Sequence, residues 1–219
     1  FNNNMSIKVL RELAPVAFGE ALGTFLMCTL GFGVVSTAVL TGFDTSLLEI
    51  GIVWGVGVAL GVWSSVGLSE GHLNPSITLT LGVTGHLKLL PGVAHLVGQF
   101  VGSMLAAVLI LVSHWDATLI HGALPFQLQY AAINGSDALG GGIAFLHEVW
   151  ATAVIGYAVF AIEDGTFKPA AIGAIVASLI AVVGPLTGAG FNPARDFGPR
   201  ILGAIMRARD DDFLGWDGV

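Results

Sequence analysis

Long apolar stretches with few charges alternate with short polar segments along the chain. The stretches cover residues 21–43, 50–69, 91–113, 143–162 and 169–187. About 20 apolar residues in a helix cross the roughly 30 Å hydrocarbon layer of a bilayer. Each stretch therefore predicts a transmembrane helix, and Pro15 is expected to open the first. Residues 1–12 and 114–140 are polar and are predicted to lie outside the membrane.

Two shorter helices are predicted where an Asn-Pro pair follows a glycine-containing turn. The pairs and the helices after them are Asn74-Pro75 with 76–85, and Asn192-Pro193 with 194–204. Asparagine is a favoured N-cap, and proline is favoured at the first helical position. About ten helical residues measure roughly 15 Å, which is half of the hydrocarbon layer. One such pair alone is a plain helix cap, whereas two in corresponding places indicate a site at the midplane.

The two halves of the sequence repeat one another. Glu20 and Thr24 in the first span match Glu148 and Thr152 in the fourth, and in both halves a further span and an Asn-Pro pair follow. Three spans precede the second copy, so it enters the membrane upside down. We expect one all-α transmembrane domain over 1–219, with repeats of about 12–113 and 140–219. The repeat also predicts a sixth span, which the sequence up to Val219 does not contain.

Composition narrows the class of protein. Hydrophobic residues make up 54% and charged residues 11%, against about 25% charged in a soluble domain, so a soluble helical bundle is excluded. Eight Lys plus Arg without a basic patch exclude nucleic acid as a partner. The single Cys28 excludes an internal disulfide, and the six histidines show no metal-ligand spacing. We therefore expect no metal, no cofactor and no enzymatic chemistry.

The positive charges of the loops predict an orientation. Lys8, Arg11, Lys88 and Lys168 all fall on one side of the predicted membrane, and the opposite loops 41–49 and 114–140 hold no lysine or arginine. The positive-inside rule then places the N-terminus in the cytoplasm.

The Asn-Pro pairs carry a chemical prediction. If the two half helices meet at their N-terminal ends, each dipole contributes about half a positive charge at the midplane. The side-chain amides of Asn74 and Asn192 then donate to the oxygen of a passing neutral solute, while cations, including hydronium, are repelled.

The turns before the two pairs are not helical at membrane depth, so their carbonyl groups must line protein or water. We expect them to form a ladder of acceptors along a path. The predicted members are Gly71, His72 and Leu73 on one side and Gly188, Ala189 and Gly190 on the other. Glycine provides the backbone angles that such turns require.

Glu20 and Glu148 are ionisable residues inside predicted spans, which makes them candidate functional residues. As proton relays they would indicate a transporter. As buried acceptors they would hold the backbone of the two re-entrant turns. We favour the second role because both occupy the same position of the repeat and no lysine or arginine accompanies them in the spans.

Arg195 directly follows the second Asn-Pro-Ala. Its guanidinium offers five donors and a permanent charge, so at a pore mouth it would bind solute oxygens and reject cations. Asp196 lies in the first turn of the half helix, where an anion is favoured.

These motifs resemble the aquaporin family, and within it the glycerol facilitator branch. Gly71-His72-Leu73-Asn74-Pro75 and Asn192-Pro193-Ala194-Arg195-Asp196 carry the resemblance, and Asp196 is typical of that branch. The resemblance implies an hourglass pore in a homotetramer within membrane lipid, with passive flow of water, glycerol, similar small polyols or urea. It also implies a plasma-membrane protein.

By the same resemblance, the outer selectivity filter consists of Trp54, Ile180, Ala189 and Arg195. Glycerol facilitators have glycine at the position of Ile180 and an aromatic residue at that of Ala189. The set found here is similar to the filter of plant nodulin-like members, which also pass glycerol. Ser76 replaces the alanine that is usual in the first motif, which is a mild change.

Four functions remain to be separated. A passive channel for water and glycerol-like solutes is favoured, and a water-selective channel is the first alternative. A proton-coupled transporter would use Glu20 and Glu148, and a non-conducting scaffold is disfavoured by the intact Asn-Pro-Ala-Arg pattern.

Overall fold

The computed structural model of this protein describes residues 3–114 and 140–207. Within these ranges the regular elements are seven α-helices. They are α1 (Asn3–Thr41), α2 (Leu47–Ser69), α3 (Pro75–Val83), α4 (Leu89–Ser113), α5 (Gly140–Ala161), α6 (Lys168–Thr187) and α7 (Pro193–Arg207). Residues 115–139 of the predicted loop, with His121, lie outside the described residues, as does the place of a sixth span beyond α7.

Five of these helices are long and apolar enough to cross a membrane, and they are α1, α2, α4, α5 and α6. The predicted all-α membrane fold is thereby confirmed. The start of the first span was predicted wrongly, because α1 continues through Pro15 to Asn3. Proline cannot donate to the carbonyl of Arg11, but Arg11 is exposed, so water can bind that group. The glycine triplet before residue 143 also belongs to a helix, α5.

The two short helices begin where the Asn-Pro pairs predict. Asn74 is the N-cap of α3 and Pro75 is its first residue. Helix α3 has 9 residues, whereas α7 has 15 and continues to Arg207 instead of stopping near 204. Fifteen residues make α7 roughly 22 Å long. Pro199 lies within this helix and does not end it.

Glycines allow the spans to touch backbone to backbone. A Cβ placed on Gly98 of α4 would lie 2.2 Å from the carbonyl oxygen of Ala17 in α1, and one on Gly102 would lie 2.3 Å from that of Ala21. Helices α2 and α6 pack in the same way, because Gly55 and Gly173 each face the carbonyl of the other. Small residues are what membrane helices use for close packing, since lipid supplies no hydrophobic drive between them.

The distribution of polar and apolar side chains is reversed relative to a soluble protein. Many large apolar side chains of the spans are exposed, and fully buried positions include Glu20 and Gln99. Unpaired polar groups cost several kcal/mol in hydrocarbon, so these side chains must find partners inside the helix bundle. Glu20 finds its partners mainly in the non-helical turn that precedes α3, and Gln99 donates to Glu20 and to Thr78.

Candidate functional site

The N-terminal ends of α3 and α7 meet and are joined by two reciprocal hydrogen bonds. Asn74 Nδ2 donates to the carbonyl oxygen of Phe191 at 3.1 Å, and Asn192 Nδ2 donates to that of Leu73 at 2.7 Å. Each asparagine thus reaches across to the turn of the other repeat. Two half helices that meet in this way point in opposite directions, as an inverted repeat requires.

Each asparagine also caps its own helix. Asn74 Oδ1 accepts from the backbone amide of Ser76 at 2.8 Å, and Asn192 Oδ1 accepts from that of Ala194 at 3.1 Å. The cap fixes the side-chain oxygen toward the helix, so the NH2 group must face the opposite way. One N–H of each amide is used in the crossing bond. The second remains as the donor that the sequence predicts at the midplane.

The turn before α3 is fixed by Glu20 of α1. Its Oε1 accepts from the amide of His72 at 2.9 Å and its Oε2 accepts from that of Leu73 at 2.8 Å. Ser69 Oγ donates to Oε1 at 2.8 Å, and Gln99 Nε2 donates to Oε2 at 2.6 Å. The carboxylate therefore satisfies two amides that no helix or strand could satisfy.

Glu148 of α5 fixes the second turn in the same manner. Its Oε1 accepts from the amide of Gly190 at 2.9 Å and its Oε2 from that of Phe191 at 2.7 Å. The hydroxyl of Thr187 also donates to Oε1. Both glutamates thus make the backbone contacts that a buried acceptor requires.

Ser69 and Thr187 are functional residues that the sequence reasoning missed. Each precedes its asparagine by five positions, and each hydroxyl also accepts from the amide two residues ahead, at 3.4 Å for Gly71 and 3.2 Å for Ala189. The repeat itself was the signal, because a hydroxyl residue stands at the same place before both motifs.

Four non-glycine residues of the turns have left-handed backbone. Glu70 has φ of 70°, Leu73 of 54°, Ala189 of 55° and Phe191 of 37°. Glycine was expected to supply such angles, and it does so at Gly71 and Gly188. An L-residue in this region costs roughly 1–2 kcal/mol. The carboxylate contacts of Leu73 and Phe191 explain why the strained conformation persists, since they hold the amides of these two residues.

The four residues assigned to the filter lie around one end of a common space. The guanidinium carbon of Arg195 is 4.8 Å from the ring centroid of Trp54, a distance typical of a cation–π contact. Arg195 Nη2 also donates to the carbonyl oxygen of Gly188 at 3.5 Å. Ile180 and Ala189 are buried and line the same cavity as the cation. The arrangement offers donors on one side and apolar surface on the others.

One cavity of about 710 Å³ is lined both by the residues predicted to form the filter and by the two asparagines. The predicted site residues that line it are Trp54, Ile180, Ala189, Arg195, Asn74, Asn192, Gly71, His72, Leu73 and Gly190. The predicted member that does not border it is Gly188, whose carbonyl instead faces Arg195. At the far end the cavity reaches Asp164 and Lys168, which form an ion pair of 2.8 Å.

Asp196 is paired with a second arginine one turn along α7. Its two carboxylate oxygens accept from Arg200 Nε at 3.1 Å and Nη2 at 3.0 Å. The nearest approach of Arg195 to Asp196 is 4.0 Å. The bidentate contact binds Arg200 to Asp196 and leaves the guanidinium of Arg195 directed to the cavity and the Trp54 ring.

The histidines lie in different surroundings. His72 lines the cavity and stacks on His95, which is buried in α4. His86 packs its edge against Phe160, and His147 contacts the carbonyl of Ile143 on an exposed helix face. Among the described residues no group of three or more His, Cys, Asp or Glu could hold a metal ion.

Comparison with known proteins agrees with this geometry. The family described as Major intrinsic protein matches residues 6–213. The glycerol uptake facilitator protein of Haemophilus influenzae is 32% identical over 209 residues, covering 88% of this chain and 79% of that protein. The propanediol uptake facilitator of Salmonella typhimurium is 36% identical over 201 residues, covering 84% and 76%. The X-ray structure of the aquaglyceroporin from Plasmodium falciparum has the same fold, with a TM-score of 0.81 at 21% identity over 93% of this chain and 88% of that one.

Proposed function

The chain belongs to the major intrinsic protein family, and on that premise we propose that it is a passive channel for water and small neutral polyols such as glycerol. The observation that carries the proposal is the reciprocal bonding of Asn74 and Asn192 to the opposite turns beside a continuous cavity. This arrangement keeps one amide donor of each asparagine on the path.

Glycerol-like solutes suit the filter better than water alone. Arg195 supplies donors for hydroxyl oxygens, and the indole of Trp54 supplies a flat apolar wall for the carbon chain. Ile180 and Ala189 add no donors of their own. A polyol presents hydroxyls on one side and carbon on the other, so it matches a path that is polar on one side. The names of the glycerol and propanediol facilitators support the same solute class.

Exclusion of ions is expected to arise at two places. At the midplane the N-terminal ends of α3 and α7 meet, and each contributes about half a positive charge. At the filter, Arg195 carries a full positive charge on the cavity wall. A cation would lose its water without gaining an anionic ligand at either place, whereas a neutral solute exchanges hydrogen bonds with water for bonds to the wall.

Glu20 and Glu148 act in this proposal as fixed acceptors for the turns, and not as proton carriers. Both are occupied by backbone and side-chain donors of the turn beside them. A carboxylate with its lone pairs so used has no geometry for passing a proton along the cavity. We further propose a homotetramer in the plasma membrane, as the family resemblance implies, with the cytoplasmic N-terminus that the loop charges predict.

The proposal is tested by flux into liposomes that contain the purified protein. Stopped-flow light scattering measures shrinkage in an impermeant osmolyte, which reports water, and re-swelling in a glycerol gradient, which reports glycerol. A pH-sensitive dye inside the liposomes reports proton leak. We expect water and glycerol flux well above empty liposomes and proton leak equal to theirs. Fast water flux with glycerol flux at the empty-liposome level would show a water-selective channel instead.

A further inference from the structure

Both ring nitrogens of His95 face carbonyl oxygens. Nδ1 lies 2.8 Å from the oxygen of Pro91, and Nε2 lies 2.7 Å from the oxygen of Ser69. A carbonyl oxygen only accepts hydrogen bonds, whereas neutral imidazole has one N–H and one bare lone pair. Rotating the ring by 180° would place carbon atoms against both carbonyls and lose both bonds. The contacts are satisfied together when both nitrogens carry a proton.

A buried negative charge lies next to this ring. Glu20 is 0% exposed, its two oxygens accept four hydrogen bonds, and its Oε1 is 4.0 Å from His95 Nε2. Two of these donors are backbone amides, which have no acceptor role, so the contacts suit an ionised carboxylate. A buried charge without a partner is strongly destabilising. His95 is itself 2% exposed and supplies the opposite charge at that distance.

In the second repeat a different positive group lies near the glutamate. Arg195 follows Asn192 by three positions, and it is near enough to Glu148 to attract it electrostatically. Three positions after Asn74 the chain has Ile77, which carries no charge. The first repeat therefore lacks a cation at the place where the second repeat has one. His95, on α4, is where the first repeat brings a proton-carrying ring to its glutamate.

We propose that His95 is a doubly protonated imidazolium that neutralises Glu20 and fixes the plane of the His72 ring on the cavity wall. The rings of His72 and His95 are stacked, with centroids 4.2 Å apart and planes 20° from parallel. The face of His95 is thus a platform that sets the plane of the His72 ring. A second positive charge in this stack would be repelled by the first, which keeps His72 neutral.

The protons around Thr78 fix which nitrogen of His72 is the acceptor. Thr78 Oγ1 donates to the carbonyl of Asn74 at 3.2 Å and accepts from Gln99 Nε2 at 2.9 Å. Its one proton is then used, so at 3.1 Å it accepts from His72 Nδ1–H. Nε2 of His72 is left with a lone pair, and within the described structure this buried atom has no hydrogen-bond partner.

His72 lines the cavity, so the plane of its ring shapes the path, although its buried Nε2 does not itself meet the solute. This effect on the path rests on the proposed function, whereas the charge of His95 does not. The other charged group near the ring is Glu70, with Oε2 at 3.6 Å from His72 Nε2. Its side chain is 79% exposed, so water screens it, and it does not compete with the buried pair for a proton.

The charge is tested by solid-state NMR of the full chain in lipid, with 15N-labelled histidine. At about pH 8.5, two units above the ordinary histidine value of about 6.5, an exposed histidine is neutral. We expect one histidine with two protonated ring nitrogens, and we expect this pair of signals to disappear in His95→Gln. His147→Gln is the matched control, because His147 makes the same contact with the carbonyl four residues back on an exposed face. One bare and one protonated nitrogen for His95 in the native chain would overturn the proposal without any variant.

The positioning role is tested by the His72 signals and by flux. In native protein we expect His72 to show Nδ1–H and a bare Nε2, and in His95→Gln we expect the two forms of its ring to mix. Glycerol flux of His95→Gln should fall about tenfold, because a His72 ring that no longer holds one plane obstructs the path, while His147→Gln equals the native chain. An unchanged His72 spectrum in folded His95→Gln would refute the positioning role. If the native chain conducts no glycerol, the proposed function fails, but the NMR result still decides the charge of His95.

Discussion

The indole of Trp54, a predicted filter residue, packs directly against a glycine on the neighbouring helix, and this contact gives a sharp test of the site. A Cβ placed on Gly31 of α1 would lie 2.3 Å from each of three indole atoms, Cδ2, Cε2 and Cε3. The guanidinium carbon of Arg195 lies 4.8 Å from the centroid of the indole ring. The ring of Phe32 packs edge-to-face with the indole, with centroids 5.7 Å apart. The methyl group added in Gly31→Ala would therefore collide with an indole ring that Arg195 and Phe32 already contact.

The size of the effect follows from these distances. Ordinary contact begins near 3.4 Å, so the ring must move by about 1.1 Å from its 2.3 Å separation. Overpacking of this kind costs about 1–3 kcal/mol, and loss of the contact with Arg195 adds about 0.5–2 kcal/mol. Trp54 lines the cavity, so its displacement narrows the path. A barrier higher by about 1.4 kcal/mol already lowers glycerol flux tenfold.

The assay compares Gly31→Ala with Gly33→Ala in the same liposome experiment. A Cβ on Gly33 would meet Ile110 Cδ1 at 3.5 Å, which is an ordinary contact. The two variants make the same chemical change two residues apart on α1. We expect glycerol flux to fall at least tenfold in Gly31→Ala and to stay within a factor of two in Gly33→Ala. Equal flux in the two variants, whether normal or lost, would refute the reasoning that Gly31 sets the place of the indole.

Three further substitutions test other contacts of the site. Glu148→Gln replaces an acceptor with a donor facing an amide of the second turn, so it should lower the free energy of unfolding by roughly 1–3 kcal/mol. The control Glu12→Gln, at an exposed position, should leave this free energy unchanged. Glycerol uptake that is driven by a pH gradient in the native chain and lost in Glu148→Gln would instead indicate a proton-coupled transporter. Ala189→Gly should raise the free energy of unfolding by about 1 kcal/mol in denaturant titrations, because φ at Ala189 is 55°. Ala174→Gly, at an exposed helical position, should lower it by about 0.5–1 kcal/mol. Changes of the same sign in the two variants would contradict this reasoning. Ile180→His adds a donor and volume to the filter, so stopped-flow measurements should show glycerol flux falling more than water flux, and a parallel fall of both would reject the filter assignment.

The sequence predicted the spans and the half helices because those depend on local patterns. Apolar length fixed the five spans to within a few residues at most ends, and Asn74-Pro75 fixed the start of α3. The start of α1 was misplaced because Pro15 lies inside the helix without ending it. The hydrogen bond that it removes can be replaced by water at the exposed Arg11. Neither the length of α7 nor its passage through Pro199 follows from the pair that begins it.

The partners of the buried carboxylates could not be predicted from local pattern. Gln99 reaches Glu20 from 79 positions away, and the amide of Phe191 reaches Glu148 from 43. Such contacts depend on how α1, α4 and α5 pack. Left-handed backbone at Leu73 and Phe191 was also unpredictable, because glycine is the residue that normally indicates it. The hydroxyls of Ser69 and Thr187 were the one part of these networks that the internal repeat could have revealed.

The crossed amides of Asn74 and Asn192 have a consequence for how the chain is made. Leu73 lies 119 positions before the asparagine that completes its bonding, so the ribosome has synthesised nearly the whole described chain before that donor exists. Until then the carbonyl of Leu73 lacks this donor, because the side chain that supplies it has not been made. A nascent chain stopped before α7 therefore cannot complete the bonding of the first re-entrant loop by itself.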